Sequence, residues 1–250
     1  MNKTLYMKAT PEKVADYVIF SGDPWRVEVL KKYLDDVSHI GFFREFNTYT
    51  GFYKGVRITV TSTGIGAPSA AIAMEEMYNA GMKVAVRMGT VMSLNDDLLG
   101  TYVIPSGSFR MEKTSETYVE LGYPAVADFA LVNSLSNTFK KAGQKVDNGI
   151  NATMDGFYSQ MKESRLSKTR NVNFDKIFDE LAMNKVTGVD MESSAMLVIG
   201  RLMGVKTAVV TLVTVLKNLK ASLEDSIRQT KEDELCRLTL EGIYKFHKGE

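Results

Sequence analysis

Tyr17-Val18-Ile19-Phe20-Ser21-Gly22-Asp23-Pro24-Trp25-Arg26 is the stretch that decides the fold. Tyr17 to Phe20 is a short β-branched and aromatic run, which predicts a buried strand. Ser21 to Pro24 reads as a turn, and Asp23 with Pro24 offers an N-cap and a first-turn proline for a helix from Trp25 to Leu34. The same alternation recurs along the chain. Strands are predicted at Val56 to Thr61, Val84 to Val86, Thr101 to Ile104, Gly188 to Met191 and Lys206 to Leu216. Helices are predicted at Ala70 to Asn79 (stopped by Gly81), Leu131 to Lys141 (ending at Gly143), Ser193 to Met203, and Ser222 to Phe246, the last long, charged and amphipathic. Strands alternating with helices imply an α/β fold with a mixed, largely parallel central sheet flanked by helices. No linker or repeat divides the chain, so a single domain over residues 1–250 is expected. Tyr158 to Asp175 is polar without a clear period and reads as a solvated loop. Loops of that length inside compact domains are often functional, so a flap over a site is the other reading.

Composition narrows the chemistry. The 250 residues carry 31 Lys+Arg and 30 Asp+Glu, a formal charge of +1, so there is no electrostatic footprint for nucleic acid. The single Cys236 excludes an intramolecular disulfide and suits a reducing compartment. Only His39 and His247 are present, which argues against a His-based zinc site or a Ser-His or Cys-His machine. The N-terminal residues lack the unbroken apolar run of a signal peptide. The longest apolar stretch, Thr207 to Leu216, is about half of what a bilayer span needs. A cytoplasmic location and no membrane partner are expected.

Four motifs follow strands. Gly22-Asp23-Pro24-Trp25-Arg26 is either a plain helix start or an anion site. Arg26 in a first helical turn opposes the helix dipole unless an anion binds there. Thr61-Ser62-Thr63-Gly64-Ile65-Gly66-Ala67-Pro68-Ser69 is a glycine turn that lacks the third small residue of a dinucleotide loop and the Gly-Lys-Ser/Thr of a P-loop. Arg87-Met88-Gly89-Thr90 ends a strand where open α/β sheets place ligands, although its arginine could equally snorkel to solvent. Val189-Asp190-Met191-Glu192-Ser193-Ser194 sets two carboxylates around a methionine, and a helix N-terminus would also welcome them.

In this order, with Arg44-Glu45-Phe46 and Pro124-Ala125-Val126-Ala127-Asp128-Phe129 between them, the motifs resemble the hexameric-type nucleoside phosphorylases, and within these the uridine-specific branch. The resemblance runs from about Tyr17 to the terminal helix. It implies phosphate-dependent cleavage of a nucleoside, uridine or a related pyrimidine, to free base and ribose 1-phosphate, with phosphate as co-substrate and no organic cofactor. It implies phosphate held by Gly22, Arg26, Arg87 and Thr90, with Arg44 reaching in from a neighbouring subunit, and Arg87 and Glu192 as the catalytic pair. It further places Glu192, Met191 and Tyr6 at the sugar. Phe157, Gln160 and Lys162 fall at the base if one residue is deleted. Glu45, Ile65 and Ser69 would surround an interface potassium ion, and the assembly would be a hexamer of dimers. Several positions depart from the family pattern. Met92 stands where a glycine lines the base pocket, Asp190 where a longer Glu is usual, Tyr6 where a neighbour's His is donated, and Lys217 where a gating Arg is expected. The alternatives are a hydrolytic nucleosidase, a purine-specific phosphorylase, and a non-catalytic binding protein on the same fold.

Overall fold

The computed structural model describes residues 3–250, the side chain of Asn218 excepted. Twelve strands form one sheet: β1 (Tyr17–Ser21), β2 (Asp35–Phe43), β3 (Phe46–Tyr53), β4 (Val56–Ser62), β5 (Val84–Ser93), β6 (Tyr102–Val103), β7 (Gly107–Arg110), β8 (Ala125–Val126), β9 (Val146–Asp147), β10 (Ile150–Thr153), β11 (Val186–Asp190) and β12 (Lys206–Leu216). The helices are α1 (Pro24–Leu30), α2 (Ala67–Asn79), α3 (Phe129–Lys141), α4 (Arg165–Thr169), α5 (Phe174–Met183), α6 (Ser193–Leu202) and α7 (Asp225–Lys248). The sheet is mixed and largely parallel in its centre. There β4, β1, β5 and β12 run side by side in parallel, while β11 joins β5 antiparallel at Met92 and Ser93.

Strand alternation sorts the core into two layers. Ile19, Ile58, Val60 and Val86 point to one face and pack under α1, α3 and α7 with Val27, Leu135 and Leu240. Val18, Phe20 and Ala85 point to the other, under α2 and α6 with Met74, Met77 and Ile199. Both faces of the central strands are therefore dry. Among the described residues no helix is long and apolar enough to cross a membrane.

Four local expectations differ from the structure. The helix expected over Trp25 to Leu34 ends at Leu30, followed by a 3-10 turn over Lys31–Tyr33. The strand expected over Val84 to Val86 runs on to Ser93, because β12 pairs with it along its whole length, from Lys206 opposite Val84 to Leu216 opposite Ser93. Arg87 and Gly89 break the apolar run but not the ladder. The hairpin of β2 and β3 has no counterpart in the expected elements, since its polar and aromatic residues show no clean alternation.

The stretch read as a loop from Tyr158 to Asp175 contains a π-turn over Phe157–Met161, then α4 and the start of α5. Ser164 caps α4 with a reciprocal Ser167 capping box, and Asn173 caps α5 by accepting the Lys176 N–H at 3.0 Å. Phe178 and Leu181 then seat α5 in a core cluster with Val186 and Val189. That apolar face lies beyond Asp175, where the polar stretch stops.

Candidate active site

A cavity of about 890 Å³ opens at the carboxyl ends of β1, β5, β11 and β12 and beside the glycine turn after β4. This is where open α/β sheets place ligands. One end is charged. Arg87, projecting from β5, is buried, and its terminal nitrogen forms an ion pair with Glu192 and lies 3.1 Å from Asp190. Burial by itself would lower the Arg87 pKa, but the Glu192 and Asp190 carboxylates outweigh it, so the pKa is raised. Glu192 is fixed from its other side, where Oε1 accepts the Gly66 N–H at 2.6 Å. Asp190 Oδ1 accepts the Thr153 hydroxyl at 2.9 Å and the Ser193 N–H at 3.2 Å, and the Ser193 hydroxyl donates to Oδ2.

Two glycines are required by this packing. Gly64 has φ +69°, in the left-handed region, and a Cβ there would press on the Glu45 side chain. At Gly89 a Cβ would lie 2.0 Å from a terminal nitrogen of Arg87, so the guanidinium folds back across a position that only glycine leaves open.

Arg26 approaches from α1 and is 6% exposed. One terminal nitrogen donates to Ser21 Oγ at 3.2 Å and the other to Glu232 Oε1 at 3.2 Å. The Nε atoms of both Arg26 and Arg87 are buried without a hydrogen-bond partner among the described residues. Buried donors are ordinarily paired, and both arginines with an unpaired donor line this one cavity, where a guanidinium suits an anion.

The other end is apolar. Val91, Met92, Phe157, Met161, Val189, Met191 and Val215 line it, with Tyr158 and Thr214 as neighbours. Met92 and Met161 are buried in one core cluster, against which Phe157 and Met191 pack.

The cavity thus brings together Gly22, Arg26, Ile65, Arg87, Thr90, Met92, Phe157, Asp190, Met191 and Glu192 of the residues singled out in the sequence. Gln160 and Lys162 are not among its lining residues. Gln160 turns its Oε1 back to accept the Gly156 N–H at 2.8 Å. Lys162 is exposed and borders a separate groove with Glu163, Lys168 and Asn171. The π-turn decides this, closed by Lys162 N–H donating to the Phe157 carbonyl at 2.8 Å, and it directs Met161 inward where Lys162 was expected. Lys217, also outside the cavity, pairs with Asp179 of α5 at 3.0 Å.

Arg44 and Tyr6 lie elsewhere too. They meet each other, with the guanidinium 5.1 Å from the ring centroid. Arg44 sits at the β2–β3 turn with φ +57°, and the Tyr6 and Met7 N–H groups are held by the Glu76 carboxylate, both at 2.7 Å. Glu45 Oε1 accepts from Ser69 Oγ at 2.8 Å, while Ile65 is 78% exposed. Both histidines are remote from the cavity: His39 stacks on Tyr49, and His247 contacts Tyr17.

The sequence reading missed Arg228, at the start of α7, and Met161, which both line the cavity. Neither carries a local signal. Arg228 looks like one more charge on a solvated helix face until α7 docks beside α1.

Known proteins share this architecture. The family described as Phosphorylase superfamily matches residues 16–240. A uridine phosphorylase of Thermococcus kodakarensis is 34% identical over 209 residues, covering 83% of this chain and 76% of that protein. A guanosine phosphorylase of Halorubrum lacusprofundi is 27% identical over 251 residues, covering 97% and 99%. The crystal structure of uridine phosphorylase from Vibrio fischeri superposes with a TM-score of 0.87 at 29% identity, covering 98% of both chains.

Proposed function

The chain belongs to the phosphorylase superfamily, and on that premise we propose that it is a pentosyltransferase that cleaves a pyrimidine nucleoside, uridine foremost, with inorganic phosphate. The products are the free base and ribose 1-phosphate. The observation that carries this is the pair of buried arginines, Arg26 and Arg87, that line one cavity together with Glu192. A hydrolase using water has no need of two buried guanidiniums.

In this reading Gly22, Arg26, Arg87 and Thr90 hold the phosphate. Guanidinium forks match a dianion and keep it in line with the anomeric carbon. Glu192, oriented by the Gly66 N–H and Arg87, grips the ribose hydroxyls above Met191. Phosphate oxygen forms the new bond to the anomeric carbon as the glycosidic bond breaks, and that bond's electron pair leaves with the base, which then takes up a proton. No protein nucleophile is needed. Arg87 and Glu192 would act as the catalytic pair, the guanidinium on the phosphate and the carboxylate paired with it on the hydroxyls of the sugar that becomes oxocarbenium-like.

The base lies against Met92, Phe157 and Met161, with Gln160 adjacent on the same turn. Thioethers pack well on aromatic rings, so shape and dispersion select the base. A purine nucleoside is the second reading, favoured by the similarity to a guanosine phosphorylase over nearly the whole chain.

Arg44 and Tyr6, paired outside their own cavity, would serve the cavity of a neighbouring copy, making the working unit at least a dimer and, by resemblance, a hexamer of dimers. Glu45, Ser69 and the Ile65 backbone offer hard oxygen donors of the kind a potassium ion takes at such an interface. The protein would act in the cytoplasm as one domain over residues 1–250. The deciding experiment measures base release from uridine, thymidine, inosine, guanosine and adenosine with and without phosphate. Phosphate-independent release, or no release at all, would overturn the reading.

A further inference from the structure

Glu232, the partner of Arg26 on α7, has no role in the reading above. Its Oε1 accepts from Arg26 Nη2 at 3.2 Å and from Arg228 Nε at 2.9 Å. The carboxylate is 22% exposed, whereas Arg26 is buried beneath it. Arg228 lines the cavity together with Gly22, Asp23, Pro24 and Arg26. One oxygen thus meets two guanidiniums of the cavity wall, Arg26 across from α1 and Arg228 one turn earlier on α7 itself.

We propose that Glu232 is an internal competitor for the anion site, a positioning residue that engages the Arg26 nitrogen a bound phosphate would otherwise take and so sets phosphate affinity. The inference rests on the functional reading above. A carboxylate about 3 Å from Arg26 cancels part of the charge offered to a dianion and repels that dianion directly. Arg228 has the opposite effect. It shares the carboxylate, draws part of its charge away from Arg26, and adds a cation at the mouth. Glu232 is not among the residues lining the cavity and reaches it through Arg26 and Arg228, so the proposal expects its effect on phosphate and not on uridine.

The test uses the full chain, Glu232→Gln, Arg228→Gln and the double variant. Inorganic phosphate is titrated by calorimetry, and steady-state KM values are measured for phosphate and uridine. Glu232→Gln is expected to tighten phosphate binding and lower its KM by roughly three- to tenfold, with the KM for uridine within about twofold. Arg228→Gln is expected to weaken phosphate by a similar factor, and the double variant to return near the wild-type value. A purely structural contact would give losses in both single variants, with no cancellation. Unchanged or weaker phosphate binding in Glu232→Gln overturns the proposal. If that variant does not fold, an unchanged phosphate affinity in Arg228→Gln overturns it equally. Tighter phosphate binding in Glu232→Gln without base release from any nucleoside would sink the functional reading while leaving the competition standing. No phosphate heat in any of the proteins removes both.

Discussion

At one end of the cavity Arg87 meets Glu192 and Asp190, and each of those carboxylates is tied again to Gly66, Thr153 or Ser193. At the other end Met92, Met161, Met191 and Phe157 meet without a hydrogen bond between their side chains. The two ends respond to change in different ways. A buried charge network has one arrangement that satisfies every member, and removing one partner strands the others. A thioether wall has many arrangements of similar energy, because dispersion is non-directional and methionine is flexible. On the proposed function, the chemistry is therefore fixed at the charged end, and the choice of base is adjustable at the apolar one.

The largest expected effect breaks the charged end. Arg87→Ala removes one of the two buried arginines proposed to hold phosphate and leaves Glu192 and Asp190 buried without their cation. Phosphorolysis should fall at least about a hundredfold and stability by about 3–5 kcal/mol, read by steady-state kinetics and denaturant unfolding. Near-normal turnover would remove the distinction between the two ends.

Met92→Gly probes the apolar end. Met92 is at once a core residue and a cavity-lining one. Stability should fall by about 2–5 kcal/mol as on other large-to-small core changes, uridine affinity should improve, and phosphate affinity should not move. A stability loss with unchanged uridine affinity would make Met92 a packing residue alone.

Gly89→Ala sharpens the comparison from the backbone side. The new Cβ displaces the Arg87 guanidinium, so the KM for phosphate should rise by roughly tenfold while the protein stays folded. An unaltered KM would show that Arg87 reaches the anion by another path.

Lys162→Ala carries a smaller effect. Because Lys162 borders a separate groove, the KM for uridine should stay within about twofold. A tenfold rise would instead return Lys162 to the base, where the resemblance puts it.

The smallest effect concerns Cys236. Burial pushes its thiol up to about 12, so thiol reagents should leave the folded protein unmodified at neutral pH. Rapid labelling would mean that α7 opens from the fold.

How far the chain could be read without its structure varies by position. The start of α1 is local chemistry, since Asp23 accepts the Trp25 N–H two residues on at 2.8 Å, and a short stretch of sequence contains both partners. The same holds for the Asp128 cap of α3, where the Leu131 N–H donates to Asp128 at 2.9 Å. Arg87 could be placed at a strand end but not recognised as mid-ladder, because the strand's length is decided by β12, more than a hundred residues away.

The sequence by itself determined the alternation of strands and helices, the glycine turns, the shortage of histidine and the residue types available for an anion site. These depend on propensity, capping and composition, which act over a few residues. Only the tertiary structure decided that Met161 rather than Lys162 lines the cavity, that Arg44 and Tyr6 pair outside it, and that Glu232 bonds both Arg26 and Arg228. Each of those outcomes depends on how separate elements dock: the π-turn ahead of α5, the N-terminal segment against the β2–β3 turn, and α7 against α1. Docking is driven by burial of faces contributed by distant parts of the chain, and no local pattern records which polar side chains are carried along with them.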